Sequence, residues 1–207
     1  MRGIRLERIN RVDGIDVYRV DGHRIRNRID VDFTNGHHHF SRQYVPLREV
    51  WLDREGRAPE SRFWTQRQLF ERELMARGLT YLQAVRRAAV YERRLRGPGQ
   101  RSRRVRVAHL GPAGPREVWL VSGRAVRDLF YVDFTLGGHG FRYRFIPRGE
   151  IWIDDAVHPA EHGAILHHEM VEVDLMRRGL AYDEAHSRAS EAEIAFRREG
   201  RVSHYRD

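Results

Sequence analysis

Residues Ala164–Met176, AILHHEMVEVDLM, set two histidines and two glutamates inside an apolar pattern of helical period. Ile165, His168, Glu172 and Leu175 follow the spacing i, i+3, i+7, i+10, so they share one helix stripe, continued by Met176. A stripe of that kind faces a core, where an imidazole or carboxylate costs several kcal/mol unless it finds a partner. A divalent metal is one such partner. Neutral imidazole and carboxylate oxygen are good zinc ligands, and three protein ligands leave a position for water. The other partner is a second polar side chain, which would make a hydrogen-bonded pair between helices with no metal. On the metal reading the ligands are His168, Glu172 and, from the next helical stretch, His186.

The elements that must position these residues come from a duplication. VDFTNGHHHF at Val31–Phe40 returns as VDFTLGGHGF at Val132–Phe141, a shift of 101 residues. The same shift carries VWLD (Val50–Asp53) onto IWID (Ile151–Asp154) and ELMARGLTY (Glu73–Tyr81) onto DLMRRGLAY (Asp174–Tyr182). The chain is therefore a tandem repeat, residues 1–100 and 101–207, joined by the apolar-poor RGPGQRSRR (Arg96–Arg104), which reads as a linker. Each repeat begins with short alternating or β-branched runs: IRL, IDVYRV, RIDVDF, FSRQYV and EVWL in the first. Turn residues at Asp21-Gly22, Asn35-Gly36 and Gly137-Gly138 separate them, which predicts an antiparallel meander of four or five strands. Two helices follow, over about Pro159–Arg178, stopping at Gly179, and about Tyr182–Arg198 in the second repeat. Thr80 and Gln83 have capping-box spacing at the equivalent helix of the first. The expected class is α+β, a small sheet followed by a helical hairpin, duplicated.

The repeat supplies an internal comparison. Where the second copy has His167, His168, Glu169 and Glu172, the first has Gln66, Arg67, Gln68 and Glu71; His186 replaces Val85. His168, Glu169 and His186 thus change as a group on a constant scaffold. Val85 argues that position 186 points inward, towards the first helix. Glu172 has its like in Glu71, so a structural role in both copies competes with ligation.

EIWIDDAVHPAEHGAILHHEMVEVDLM resembles the active-site segment of zincin metallopeptidases, particularly the small intracellular type. In that family a strand leads into a helix bearing His-Glu-x-x-His, and a third ligand comes from downstream. The resemblance implies His168 as a ligand and Glu169 as general base on the metal-bound water; it covers only this segment and the downstream helix. The sequence departs from the motif at Glu172, which stands where the second histidine would be. Geometry is compatible with the base role, because Glu169 is one residue and about 100° round the helix from His168. A metal-dependent hydrolase of the peptidase type follows, with the first repeat as a docking element. The alternative is a non-enzymatic duplicated module that binds nucleic acid or protein, its histidines structural.

The remaining histidines carry weaker expectations. His167 reads as solvent-facing or as a donor behind a ligand, and His158 and His162 as loop residues. Of His37, His38 and His39, only His38 has a counterpart, His139, and the pair reads as strand-end hydrogen bonders. Asp53 and Asp154 should start the loop into the helix, and Trp51 and Trp152 should anchor the core.

Charge separates the copies further. The chain carries 38 basic and 29 acidic residues for a net charge of +9, and every basic residue is arginine. Residues 1–101 hold 22 of the arginines against 13 acids, so the excess belongs to the first copy. Arg86, Arg87, Arg93, Arg94 and Arg96, running into Arg103 and Arg104, form a stripe suited to nucleic acid or an acidic protein surface. Arginine-rich solvated faces and heat-stable ion pairs are the plainer reading. Zero cysteines exclude disulfides, thiolate zinc sites and Cys nucleophiles. No apolar run is long enough for a bilayer, and MRGIRLERINRVDG lacks the apolar core of a secretory signal, so a cytoplasmic location is expected. Duplicated halves commonly associate through a pseudo-twofold interface, but the sequence does not say whether these two repeats pack together.

Overall fold

The structure, a computed structural model, describes residues 3–56, 58–97 and 104–199; most of the expected linker, 98–103, lies outside the described residues. The first copy contains β1 (Arg5–Val12), β2 (Ile15–Val20), α1 (Gly22–Arg28), β3 (Gly36–His38), β4 (Glu49–Asp53), α2 (Ala58–Ala76) and α3 (Tyr81–Arg96). The second repeats them as β5 (Arg106–Ala113), β6 (Arg116–Val121), α4 (Gly123–Leu129), β7 (Gly137–His139), β8 (Glu150–Asp154), α5 (Pro159–Arg177) and α6 (Tyr182–Arg198). Every element of the second copy starts 101 residues after its counterpart. The chain divides into two compact units, essentially the two copies. The α+β class, the duplication and the terminal helical hairpin are as the sequence predicts. No helix among the described residues is long and apolar enough to cross a membrane.

The sheet is not the expected meander. Its order is β1-β2-β4-β3, repeated as β5-β6-β8-β7, and the central pair β2–β4 (β6–β8) is parallel. A parallel pair needs a crossover, which α1 (α4) begins. The supposed turn at Asp21-Gly22 is that helix's start: Arg24 N–H donates to Asp21 Oδ1, and in the second copy Ala125 N–H donates to Ser122 Oγ. RIDVDF and FSRQYV form no strands. Their alternating apolar residues instead anchor irregular chain over the far face of the sheet, where Tyr44 meets Trp51 and Phe145 meets Trp152 at about 6 Å between ring centroids.

Both faces of each sheet are therefore covered. In the second unit Val118, Ile153, Val157 and Ile165 pack between sheet and α5, while Val121, Val126, Phe134, Ile146 and Trp152 fill the opposite side. Covering on two faces explains why EIWID is buried from Ile151 to Asp154 without alternation. Trp51 and Trp152 are core residues as expected. Asp53 and Asp154 end their strands and are buried against Arg26 and Arg127, at 2.7 and 2.5 Å. Gly22 and Gly123 permit this, since a Cβ at either would lie 2.0 Å from the aspartate Oδ2.

The helix boundaries follow their sequence signals. Thr80 caps α3 with the reciprocal Gln83 contact of a capping box, and α5 ends ahead of Gly179, whose φ of +96° favours glycine.

Candidate metal centre

Three elements of the second unit converge on one carboxylate. α5 supplies Glu172 and, one turn earlier, His168; α6, packed antiparallel in the hairpin, supplies His186; β7 supplies His139. Gly137 lets β7 come close enough. A Cβ there would stand 2.9 Å from Ile165, 3.1 Å from the Trp152 carbonyl and 3.2 Å from Glu169 Oε1. Gly137 and His139 share a sheet face by the two-residue period, so the same approach delivers His139 to α5. The expected turn at Gly137-Gly138 is this strand, for that reason.

The distances describe a tight cluster. Glu172 Oε2 lies 2.8 Å from His186 Nδ1 and 3.4 Å from His168 Nε2, and the two imidazole nitrogens are 3.1 Å apart. Ligand atoms bound tetrahedrally at about 2.0–2.2 Å stand about 3.3 Å from one another, so these three need little movement to accept an ion. The other oxygen, Glu172 Oε1, is 2.8 Å from His139 Nε2. Glu169 joins the same side, with Oε2 3.9 Å from His139 Nε2. His139, Glu169 and Glu172 thus form a second ligand-bearing group that shares Glu172 with the first. His186 is the most open member, its side chain 37% exposed, whereas the others are buried.

Behind His168 stands Glu193, whose Oε2 is 3.0 Å from His168 Nδ1, close but misaligned for a linear hydrogen bond. Glu193 is itself bound by Arg197 at 2.6 Å, and Arg197 also takes both oxygens of buried Glu161 at 3.0 Å. A carboxylate behind a ligand imidazole fixes its orientation and favours the tautomer with a lone pair on the far nitrogen, here Nε2.

Without an ion the cluster holds protons instead. Burial lowers the His168 pKa, but Glu172, Glu193 and Glu169 outweigh it and push it up to about 10. Burial pushes the Glu169 carboxyl up to about 7 against the pull of His168 and the other imidazoles. Burial also works against ionised Glu172, yet contacts from His139, His168 and His186 hold it well below the usual carboxylate range. Glu169 is thus a buried carboxyl poised near neutrality, which suits a general base.

The first unit shows the same framework closed. His38 Nε2 is 3.3 Å from Glu71 Oε1, matching His139 and Glu172. Arg67 sits where His168 would be, with its guanidinium 3.0 Å from Glu92 and 4.0 Å from Glu71. A built-in cation fills the place that the second copy leaves to imidazoles.

The sequence-predicted residues His168, Glu169, Glu172 and His186 come together. His139 joins them, and the differences between the copies do not reveal it because His38 is its equal. His167 is half-buried and stacked on Phe196 at 4.8 Å, outside the cluster. His158 is the N-cap of α5, its Nδ1 accepting from Ala160 N–H, and His162 lies in the first turn of that helix rather than in a loop. On α3, Arg86, Arg87, Arg93 and Arg94 are exposed, as is Arg104; Arg103 lies outside the described residues. Arg96 is a correction to the stripe. Its side chain is 2% exposed and pairs with Glu60 and Glu92 at 2.8 and 2.7 Å, because Glu92 precedes it by one helical turn. Compared with known proteins, the chain matches no family model, no curated protein and no solved structure.

Proposed function

We propose that the second unit is a metal-dependent hydrolase of peptide or amide bonds, similar in its working parts to zincin metallopeptidases. The observation that carries this reading is the convergence of His168 Nε2, His186 Nδ1 and Glu172 Oε2 within 3.4 Å of one another, at a position where the first unit places Arg67. The donor set of two imidazoles and a carboxylate suits zinc.

A bound ion would polarise a carbonyl and make a bound water acidic near neutral pH. The protein's residues do the rest. Glu193 orients His168, and His139 holds Glu172 Oε1 so that Oε2 turns towards the two ligand imidazoles. Glu169, a buried carboxyl on the same helix, would take a proton from the attacking water and return it to the leaving amine. The first unit, whose α3 exposes Arg86, Arg87, Arg93 and Arg94, serves in docking to nucleic acid or an acidic protein surface.

Metal analysis of protein purified without a histidine tag tests the reading. Stoichiometric zinc that His168→Ala removes, with Glu169→Gln keeping the zinc but losing peptide hydrolysis, is the expected result. Protein free of metal after incubation with zinc would leave the histidines as a polar pair and favour the binding-module alternative.

A further inference from the structure

The cluster reaches solvent at His186, and that edge is built from groups the ligand set does not explain. Tyr182, four residues before His186 on α6, stacks on its imidazole at 5.5 Å with an angle of 23° between planes. The Arg142 guanidinium lies over the Tyr182 ring at 4.0 Å and over Tyr143 at 5.3 Å. Arg142 is on the exposed segment after β7, and among the described residues it has no carboxylate partner. Its neighbours are phenols, and Tyr182 accepts a hydrogen bond from it. A cation held by aromatic rings with no carboxylate of its own, beside an exposed metal ligand, is an anion-binding arrangement.

The repeat sharpens the point. In the first unit the residue equivalent to Arg142 is Ser41, whose hydroxyl donates to the His38 carbonyl and lies 3.4 Å from His37 Nδ1. Tyr81 equals Tyr182, but Val85 stands for His186. The fold therefore does not need an arginine at this position. Arg142 is present in the copy with the imidazole cluster and absent from the copy in which Arg67 closes it.

We infer that Arg142, with Tyr182 and Tyr143, forms a subsite for an oxyanion at the open edge of the cluster, so that the substrate carries a carboxylate or phosphate close to the bond that is cut. This rests on the second unit holding a metal, as proposed above. An anion there would sit between the ion and a guanidinium and be held by both charges. A peptide ending in a free carboxylate fits that requirement, and so does a substrate with an acidic side chain beside the scissile amide.

The test uses the full-length protein loaded with cobalt(II), whose visible spectrum reports on the ligand field. Inorganic phosphate and acetate are titrated in separate arms. The expected result is saturable perturbation by at least one, with Arg142→Ala weakening it by about ten- to a hundredfold, as removal of a charged hydrogen bond predicts. Cobalt content should stay unchanged in that variant, and Arg142→Lys should recover part of the affinity. The arm that saturates says whether phosphate or carboxylate is the group recognised. Cobalt-loaded protein that binds neither anion, or an Arg142→Ala variant that binds them as the parent does, overturns the subsite and leaves the metal site standing. Failure to take up cobalt at all is the distinct failure of the hydrolase reading.

Discussion

Arg67 and His168 occupy equivalent positions in the two copies and reach equivalent carboxylates. Arg67 lies 3.0 Å from Glu92 and 4.0 Å from Glu71; His168 lies 3.0 Å from Glu193 and 3.4 Å from Glu172. One copy neutralises its acids with a permanent cation, since arginine stays protonated in proteins. The other uses imidazole, which can give up its proton and ligate.

If that exchange is what separates a closed site from an open one, it can be reversed. The variant Arg67→His with Val85→His should give the first unit a His-His-Glu set on Glu71, backed by Glu92, and Gln68→Glu adds the base. Metal content should rise from one to two equivalents per chain, read by atomic emission after dialysis. Arg67→Ala alone should add none. A triple variant that folds and still holds one equivalent would show that the arginine is not what closes the site.

Polyanion binding should reside on α3 of the first unit. Replacing exposed Arg86, Arg87, Arg93 and Arg94 with glutamine should weaken retention on heparin or DNA and flatten the salt dependence, by about 0.9 in the log–log slope for each phosphate no longer neutralised. Arg96 is buried between Glu60 and Glu92, so its removal should affect folding rather than that slope. An unchanged slope in the four-residue variant would remove the docking role from this helix.

The long helices are legible in the sequence because their ends carry chemistry: a threonine cap at Thr80, a left-handed glycine at Gly179, an apolar stripe through His168 and Glu172. The sheet order is not. RIDVDF after α1 and FSRQYV after β3 alternate like strands, yet the alternation comes from covering a second sheet face, which no local pattern reveals. The site divides in the same way. His168, Glu169 and His186 stand out because the two copies differ there. His139 is hidden because they agree, and its role depends on the Gly137 approach of β7 to α5. A histidine and a glutamate both retained at one shift, His38 with Glu71 and His139 with Glu172, is the signal that could have revealed the pair.

The metal-free and metal-loaded forms should respond differently to pH. In the metal-free form His168 is raised from 6.5 to about 10 and Glu169 from 4.5 to about 7. Both bind protons more tightly folded than unfolded, so each contributes stability at low pH that is lost as pH rises. Glu169 loses it from about 4.5 to 7 and His168 from about 6.5 to 10. Glu172 runs the other way, its contribution disappearing only as pH falls below the ordinary carboxylate range. Melting curves with chelator should therefore fall in Tm from pH 7 to 9. With zinc, binding must displace the His168 proton, so the stabilisation conferred by metal should grow over the same interval. Parallel curves with and without zinc would mean that no ligand proton is displaced.

The two buried arginine networks offer a matched comparison that isolates metal from fold. Arg197 sits between Glu161 and Glu193, and Arg96 between Glu60 and Glu92, with all six side chains at most 7% exposed. Removing either arginine takes a shared cation from two buried carboxylates, and breaking a buried pair in this way costs about 3–5 kcal/mol. Arg197→Met and Arg96→Met should thus lower stability to a similar degree, measured by denaturant midpoint for each unit. Their effects on metal should differ. Glu193 backs the His168 imidazole, so releasing it from Arg197 should weaken zinc binding by about 10–100-fold, the usual effect of disturbing a carboxylate behind a ligand. Arg96→Met disturbs Glu92, which backs only Arg67, and should leave zinc affinity as it was. Zinc affinity reduced equally by both would attribute the weakening to general destabilisation and take Glu193 out of the metal site's support.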